Sequence, residues 1–198
     1  TIHTTIDYAA MQSAVHAQQE LLDKYDLNGK KVQSAVVVMD ENGAVKVLIG
    51  GNDYLESSYN RAVSARRQPG SAFKPFVYLT ALEEGFRPED LINDQRLTIG
   101  DWAPENYKDI YVGMVPLAEA MARSLNAAAI RLQEEVGRSR VVEVSNRLGL
   151  NINDPGPSLA LGVTVVTPLQ LATAYLPLSS GGIDATPFLV NRITAEDG

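Results

Sequence analysis

The stretch Arg67-Gln68-Pro69-Gly70-Ser71-Ala72-Phe73-Lys74-Pro75-Phe76 constrains this chain more than any other. Pro-Gly stops whatever precedes it. Phe76, Val77, Leu79 and Leu82 then recur at helical spacing, so a helix begins just after the breaker. Ser71 falls in its first turn and Lys74 lies on the same face. Pro75 is tolerated there, because first-turn amides lack intrahelical acceptors. A hydroxyl at a helix start beside an amine suits an activated nucleophile. The plainer reading is that Ser71 caps the helix and Lys74 is a solvated first-turn residue. Two features weigh against it. The helix dipole disfavours a lysine in the first turn. The run Pro75-Phe76-Val77-Tyr78 would also desolvate the ammonium, which lowers a lysine pKa toward that of a useful base.

The flanking sequence reads as α+β. Asp7 suits an N-cap for a helix to about Tyr25, with Met11, Ala14, Val15, Leu21, Leu22 and Tyr25 as its apolar face and Asn28-Gly29 as its stop. Residues 33–39 and 45–49 are β-branched runs around Asp40-Glu41-Asn42-Gly43, a hairpin signal. The continuous apolar run 35–39 predicts a strand covered on both faces. Residues 85–111 read as loop. Pro116 suits the first position of a short helix to about Arg123. Helices follow over 127–136 and from a cap at Ser139 to Gly149. Thr167-Pro168-Leu169-Gln170 is a capping box opening a helix to about Leu178. Only two strands stand out, and a two-stranded sheet is marginal by itself.

Composition narrows the function classes. The chain has 198 residues, 45% of them hydrophobic, enough for a sizeable core. A formal charge of -7 argues against nucleic acid or anionic membrane as the main partner. No apolar run is long enough to span a bilayer. There is no cysteine, which excludes disulfides, thiolate nucleophiles and zinc-thiolate sites. The two histidines, His3 and His16, have no metal-ligand spacing, and His16 falls on a polar, solvated helix face. No metal or cofactor is expected. The acidic residues Glu83, Glu84, Glu89, Asp90 and Asp94 read as a solvated surface. Trp102, Tyr107 and Tyr111 read either as cleft lining or as loop anchors.

Ser124-Leu125-Asn126 places two hydrogen-bonding side chains at a break between helices. It reads as a junction capped by Asn126, or as a pair that relays a proton and holds a substrate amide. Ser58-Tyr59-Asn60 has the same pattern in a polar loop and is taken as a chance match. With their surroundings, the Ser-x-x-Lys and Ser-x-Asn elements resemble the transpeptidase domain of class A penicillin-binding proteins, whose superfamily carries Ser-x-x-Lys, Ser-Asp-Asn and Lys-Thr-Gly motifs. The resemblance extends to Thr4-Thr5-Ile6-Asp7, Tyr59-Asn60-Arg61-Ala62, Trp102-Ala103-Pro104-Glu105-Asn106-Tyr107, Pro157-Ser158-Leu159-Ala160-Leu161-Gly162 and Thr167-Pro168-Leu169-Gln170-Leu171-Ala172.

The resemblance implies a penicillin-binding/serine β-lactamase-like fold, mainly helical over this stretch. The hairpin at 33–49 would be the first two strands of a five-stranded antiparallel sheet. No Lys-Thr-Gly or Lys-Ser-Gly occurs in the chain. Residues 1–198 would then be a single partial transpeptidase domain, with the C-terminal strands, glycosyltransferase domain and membrane anchor outside it. It implies Ser71 as nucleophile, Lys74 as general base, Ser124 as proton relay and Asn126 as a ligand of Lys74 and the acyl chain. Peptidoglycan stem peptides and β-lactam antibiotics would be the partners, at the periplasmic face of the inner membrane. The fragment alone is expected to have little activity, and its uncovered hairpin face to associate with a complementary fragment or a second copy. Two alternatives stand beside this. One is a serine β-lactamase or D,D-carboxypeptidase; the β-lactamase is disfavoured because the linker 151–161 holds Asp154 but no glutamate to activate water. In a non-catalytic scaffold, Ser71 and Lys74 would be helix-start residues only.

Overall fold

A computed structural model of the protein describes residues 1–25 and 32–195. The expected stop at Asn28-Gly29 lies outside the described residues. In chain order the elements begin with β1 (Ile2–Thr4), α1 (Tyr8–Lys24), β2 (Val36–Met39), β3 (Val45–Ile49) and α2 (Arg61–Ser64). A 3-10 turn (Gly70–Phe73) leads into α3 (Lys74–Glu83), followed by β4 (Leu91–Asp94), β5 (Gly113–Pro116) and α4 (Leu117–Ala122). The chain continues through α5 (Asn126–Val136), α6 (Arg138–Arg147), α7 (Pro168–Ser179) and β6 (Val190–Ile193). They group into two compact units, Thr1–Arg67 with Val166–Gly198, and Gln68–Val165.

The first unit is built on the expected hairpin. Strands β2 and β3 pair antiparallel, with Val36 opposite Ile49 and Val38 opposite Val47. Asp40 organises the turn, its carboxylate accepting from the amides of Asn42 and Ala44 at 3.0 Å each. Val45, Val47 and Ile49 are buried, the alternation of a half-covered strand. The expectation that β2 is covered on both faces is not met: Val38 is 44% exposed. Helices α1 and α2 pack on β3, whereas β2 is met chiefly by α7. A short side strand pair, β1 with β6, was not legible in the sequence.

Local signals in this unit mostly behave as read. Asp7 caps α1 by accepting from the Ala10 amide at 2.9 Å. Of the six residues read as its apolar face only Leu22 is buried, and Val15, Leu21 and Tyr25 are exposed. His16 sits on the exposed face, 3.4 Å from Glu20. Thr167 and Gln170 form a reciprocal capping box on α7, with contacts of 3.1 and 3.0 Å. Asn60, in the chance Ser-x-Asn match, is the N-cap of α2 and accepts from Ala62.

The second unit is built around α3. Phe73, Phe76, Val77 and Ala81 are fully buried, and α3 packs against α4, α5 and α6. The Phe73 and Phe76 rings meet at 5.5 Å between centroids. Each such burial contributes on the order of 2–3 kcal/mol, so the start of α3 is anchored from beneath. Helix α5 presents Ala127, Ala128 and Ala129 fully or almost fully buried; these small side chains allow close approach to its neighbours. Helix α6 begins at Arg138 after Gly137, rather than at a Ser139 cap. Pro116 ends β5 and precedes α4 instead of opening it.

Residues 85–111, read as loop, contain β4, which pairs antiparallel with β5. Ile92 faces Val115 and Asp94 faces Gly113. Helix α5 packs directly on β4. The acidic surface reading is also only partly met. Glu84 pairs with Arg140 at 2.6 Å, and Glu83 pairs with Arg147. Asp94 is not solvated at all: its relative exposure is 0%. No helix among the described residues is long and apolar enough to cross a membrane.

Candidate active site

Pro69 and Gly70 set the entry to α3. Gly70 has φ +58, and the 3-10 turn that follows carries Ser71 at the surface. Its main chain is braced from behind by Gly162, whose carbonyl accepts from the Gly70 amide at 3.3 Å. Gly162 has φ +67, and a Cβ there would lie 2.1 Å from the Gly70 carbonyl oxygen. Only glycine fits that close approach. The Ser71 amide donates to no protein group among the described residues, so it is open to an incoming anion.

Lys74 opens α3 proper and is 1% exposed. Its Nζ donates to the Ser124 carbonyl at 2.5 Å, to Ser124 Oγ at 3.0 Å and to Asn126 Oδ1 at 2.7 Å. Those three acceptors match the three donors of an ammonium. Burial nevertheless pushes its pKa from the usual lysine range down to about 8, opposed in part by the Asp94 carboxylate. A sizeable fraction of the amine is therefore neutral near physiological pH. A neutral amine donates twice and accepts once, which leaves a lone pair for a hydroxyl proton.

Ser124 reaches Lys74 through an unusual backbone. It lies between α4 and α5 at φ +54, a region that costs a non-glycine residue roughly 1–2 kcal/mol. The twist turns both its carbonyl and its hydroxyl onto Lys74. Asn126 is the first residue of α5, and its Nδ2 also donates to the Glu105 carbonyl at 2.9 Å. It does not cap that helix. The cap comes from Asn106, whose Oδ1 accepts from the Asn126 and Ala127 amides at 3.0 and 2.9 Å.

The structure thus brings Lys74, Ser124 and Asn126 together, with Ser71 one helical turn before Lys74. Ser71 Oγ itself makes no hydrogen bond among the described residues. Beside Ser124 and Asn126 lies a pocket of about 180 Å³, also lined by Asn106, Tyr107, Ile110 and Arg123. Tyr107, 81% exposed, belongs to its wall. Tyr111 holds the loop, its hydroxyl accepting from the Asn106 amide at 3.4 Å. Trp102 closes a backbone turn with Ile99.

Sequence reasoning missed Asp94 and the capping role of Asn106. For Asn106 the available signal was its place in the Trp102–Tyr107 phrase. For Asp94 it was period-2 alternation with Ile92, which is 3% exposed, but four strand residues are too few for that pattern to stand out.

Solved structures similar to this chain include penicillin-binding proteins. Residues 33–197 match the penicillin binding protein transpeptidase domain, and the chain belongs to that family. It is 38% identical over 176 residues to penicillin-binding protein 1A of Pseudomonas aeruginosa, covering 84% of this chain. It is 40% identical over 179 residues to penicillin-binding protein 1A of Aquifex aeolicus, covering 87%. The chain spans only 21% and 24% of the length of those two relatives. Penicillin-binding protein 1A from Haemophilus influenzae superposes with a TM-score of 0.81 at 33% identity, covering 84% of this chain and 26% of that one. PonA1 from Mycobacterium tuberculosis in complex with penicillin V gives 0.88 at 26% identity, covering 100% and 56%.

Proposed function

We propose that this chain carries the nucleophile half of a serine-type peptidoglycan D,D-transpeptidase that works on the periplasmic side of the membrane. Ser71 is the nucleophile and Lys74 its general base. The neutral Lys74 amine takes the Ser71 proton as Oγ bonds to the carbonyl carbon of the penultimate D-Ala. The Ser71 amide donates to the resulting oxyanion, and stabilisation of that charge supplies much of the rate enhancement in acyl transfer. The carbonyl–nitrogen bond then breaks. Ser124 passes the proton from Lys74 to the departing D-Ala amine, and Asn126 holds the acyl chain amide. An amine of a neighbouring stem peptide attacks the ester, forms the crosslink and returns Ser71 to its hydroxyl. A β-lactam enters the same first step, but its leaving nitrogen stays tethered.

The observation that carries this reading is Lys74: a buried lysine held on Ser124 and Asn126 with its pKa near 8. A solvated first-turn residue would have none of these features. General-base transfer needs Ser71 Oγ within about 2.6–3.2 Å of the amine, and such contacts commonly tighten only once substrate is bound.

The test is fluorescent penicillin labelling of the complete polypeptide, with the adduct located by peptide mass mapping. The expected result is one stable adduct on Ser71, lost in Ser71→Ala. Adduct on another residue, or none, overturns the assignment. Rapid turnover of the adduct would instead identify a β-lactamase.

A further inference from the structure

We propose that Asp94 and Asn106 are a positioning pair: Asp94 fixes the Asn106 amide, Asn106 fixes the first turn of α5, and that turn aims Asn126 at Lys74. The inference rests on the acyl-transfer reading above. Asp94, at the end of β4, is fully buried and has no ion-pair partner among the described residues. A buried carboxylate costs several kcal/mol unless its oxygens are satisfied. Here they accept from Asn106 Nδ2 at 2.8 and 2.9 Å and from the Val112 amide at 3.2 Å. Asn106 Nδ2 also donates to the Ile110 carbonyl at 3.0 Å.

These partners permit only one orientation of the Asn106 amide. Reversed, its oxygen would face a carboxylate and a carbonyl, and its NH2 would face two amide hydrogens. The carboxylate therefore aims Asn106 Oδ1 at the start of α5, where it takes two of the orphan amides of that helix. The residue at the capping position, Leu125, has no acceptor of its own. The acceptor comes instead from 20 residues earlier in the chain. Glu105 grips the Asn126 side chain from the same segment. Further along α5, Arg131 donates to the carbonyls of Asn93 and Gln95 on either side of Asp94. Strand β4 and helix α5 are thus locked at both ends of the device, and Asn126 Oδ1 has little freedom left except to face Lys74.

A hydrophobic filler at position 94 would pack the strand without any of this direction. The test compares Asn106→Asp, Asp94→Asn and the double exchange in the complete polypeptide. It measures the non-covalent constant K, the acylation rate k2 for a penicillin, and thermal stability. Asn106→Asp keeps the cap but sets two carboxylates together. It should lower k2 by about ten- to a hundredfold with K nearly unchanged, the signature of misplaced reacting groups. The double exchange restores a donor–acceptor pair with its polarity reversed but still lacks the donor to the Ile110 carbonyl, so it should recover part of k2. An unchanged k2 in Asn106→Asp, a double variant no better than either single one, or a k2 loss that merely follows the unfolded fraction overturns the proposal.

Absence of acylation in the unsubstituted protein would defeat the acyl-transfer reading instead. The pair is then tested through the 13Cε resonance of Lys74, assigned by its loss in Lys74→Arg. Asp94, from β4, is the charged group acting on Lys74. Tyr78, one turn along α3, stays neutral because burial and Asp94 both push its phenol up. Asn106→Ala leaves the Asp94 charge in place but frees the first turn of α5, so by loosening the Asn126 contact it should still move the Lys74 titration to lower pH; a titration unmoved in Asn106→Ala overturns the proposal.

Discussion

The acid–base state of Lys74 makes the sharpest test of the site. With the pKa pushed to about 8, roughly 9% of the amine is neutral at pH 7 and roughly 91% at pH 9. The rate of Ser71 acylation, if it follows that neutral fraction, should rise about tenfold across this range and level off above it. An ordinary solvated lysine behaves differently. Its neutral fraction would grow about a hundredfold over the same two units, with no plateau in reach. The assay is the second-order acylation constant for a β-lactam that does not ionise between pH 6 and 10, read from covalent adduct by mass spectrometry. A hundredfold climb without a plateau, or a flat profile, would refute the assignment of Lys74 as the base.

The same shift has a stability consequence of definite sign. Between about pH 8 and 10.5 the unfolded chain holds a lysine proton that the folded chain has released. Stability then rises with pH across that window, by on the order of 3 kcal/mol for this one group. Below pH 8 both states are protonated and the full cost of the buried charge is present. Lys74→Met removes the group, so the difference between the two proteins should carry this slope.

Substitutions at two positions probe the backbone around the site. Ser124→Ala and Ser124→Gly both remove the hydroxyl and should slow acylation about a hundredfold or more, but Ser124→Gly also relieves the φ of +54. The glycine variant should therefore be the more stable of the two by about 1 kcal/mol in denaturant unfolding; equal stabilities would show that the backbone there is unstrained. Gly162→Ala puts a Cβ 2.1 Å from the Gly70 carbonyl in a left-handed conformation. It should lower both the thermal midpoint and the labelling rate of Ser71, and an unchanged labelling rate would show that Gly162 does not brace the nucleophile turn.

The legibility of this protein from sequence divides along physical lines. Signals carried by neighbouring residues survived: the breaker before Ser71, the capping box at Thr167, the Asp7 cap and the turn at Gly43 were all readable, because each is decided within about four residues. Most of what failed depended on distant packing, although the local readings of a Ser139 cap and of Pro116 opening a helix failed as well. The apolar run of β2 promised burial on both faces, but whether a strand is covered is set by which helices reach it. Strands β1, β4, β5 and β6 have three or four residues each, too few for periodicity to declare itself. Asp94 was pooled with surface acids because nothing local separates a solvated carboxylate from a buried one.

The same division runs through the site itself. Ser71 and Lys74 lie three residues apart, on a 3-10 turn and at the start of the helix it leads into, and their spacing with the flanking residues was enough to single them out. Their chemistry is decided elsewhere. A first-turn lysine becomes a candidate base only because Ser124 and Asn126, some 50 residues later, cover it. Those two are held in turn by a strained turn, by an asparagine cap from residue 106 and by a carboxylate on β4. Each outward step in this chain of contacts is longer-range in sequence and less visible to motif reading. Yet each bears on the orientation of the next group inward, and reacting groups displaced by about 1 Å can lose as much as a hundredfold in rate. On the proposed reading the short motif therefore names the candidate reacting atoms, while the residues that would make them reactive are spread across the unit that folds around them.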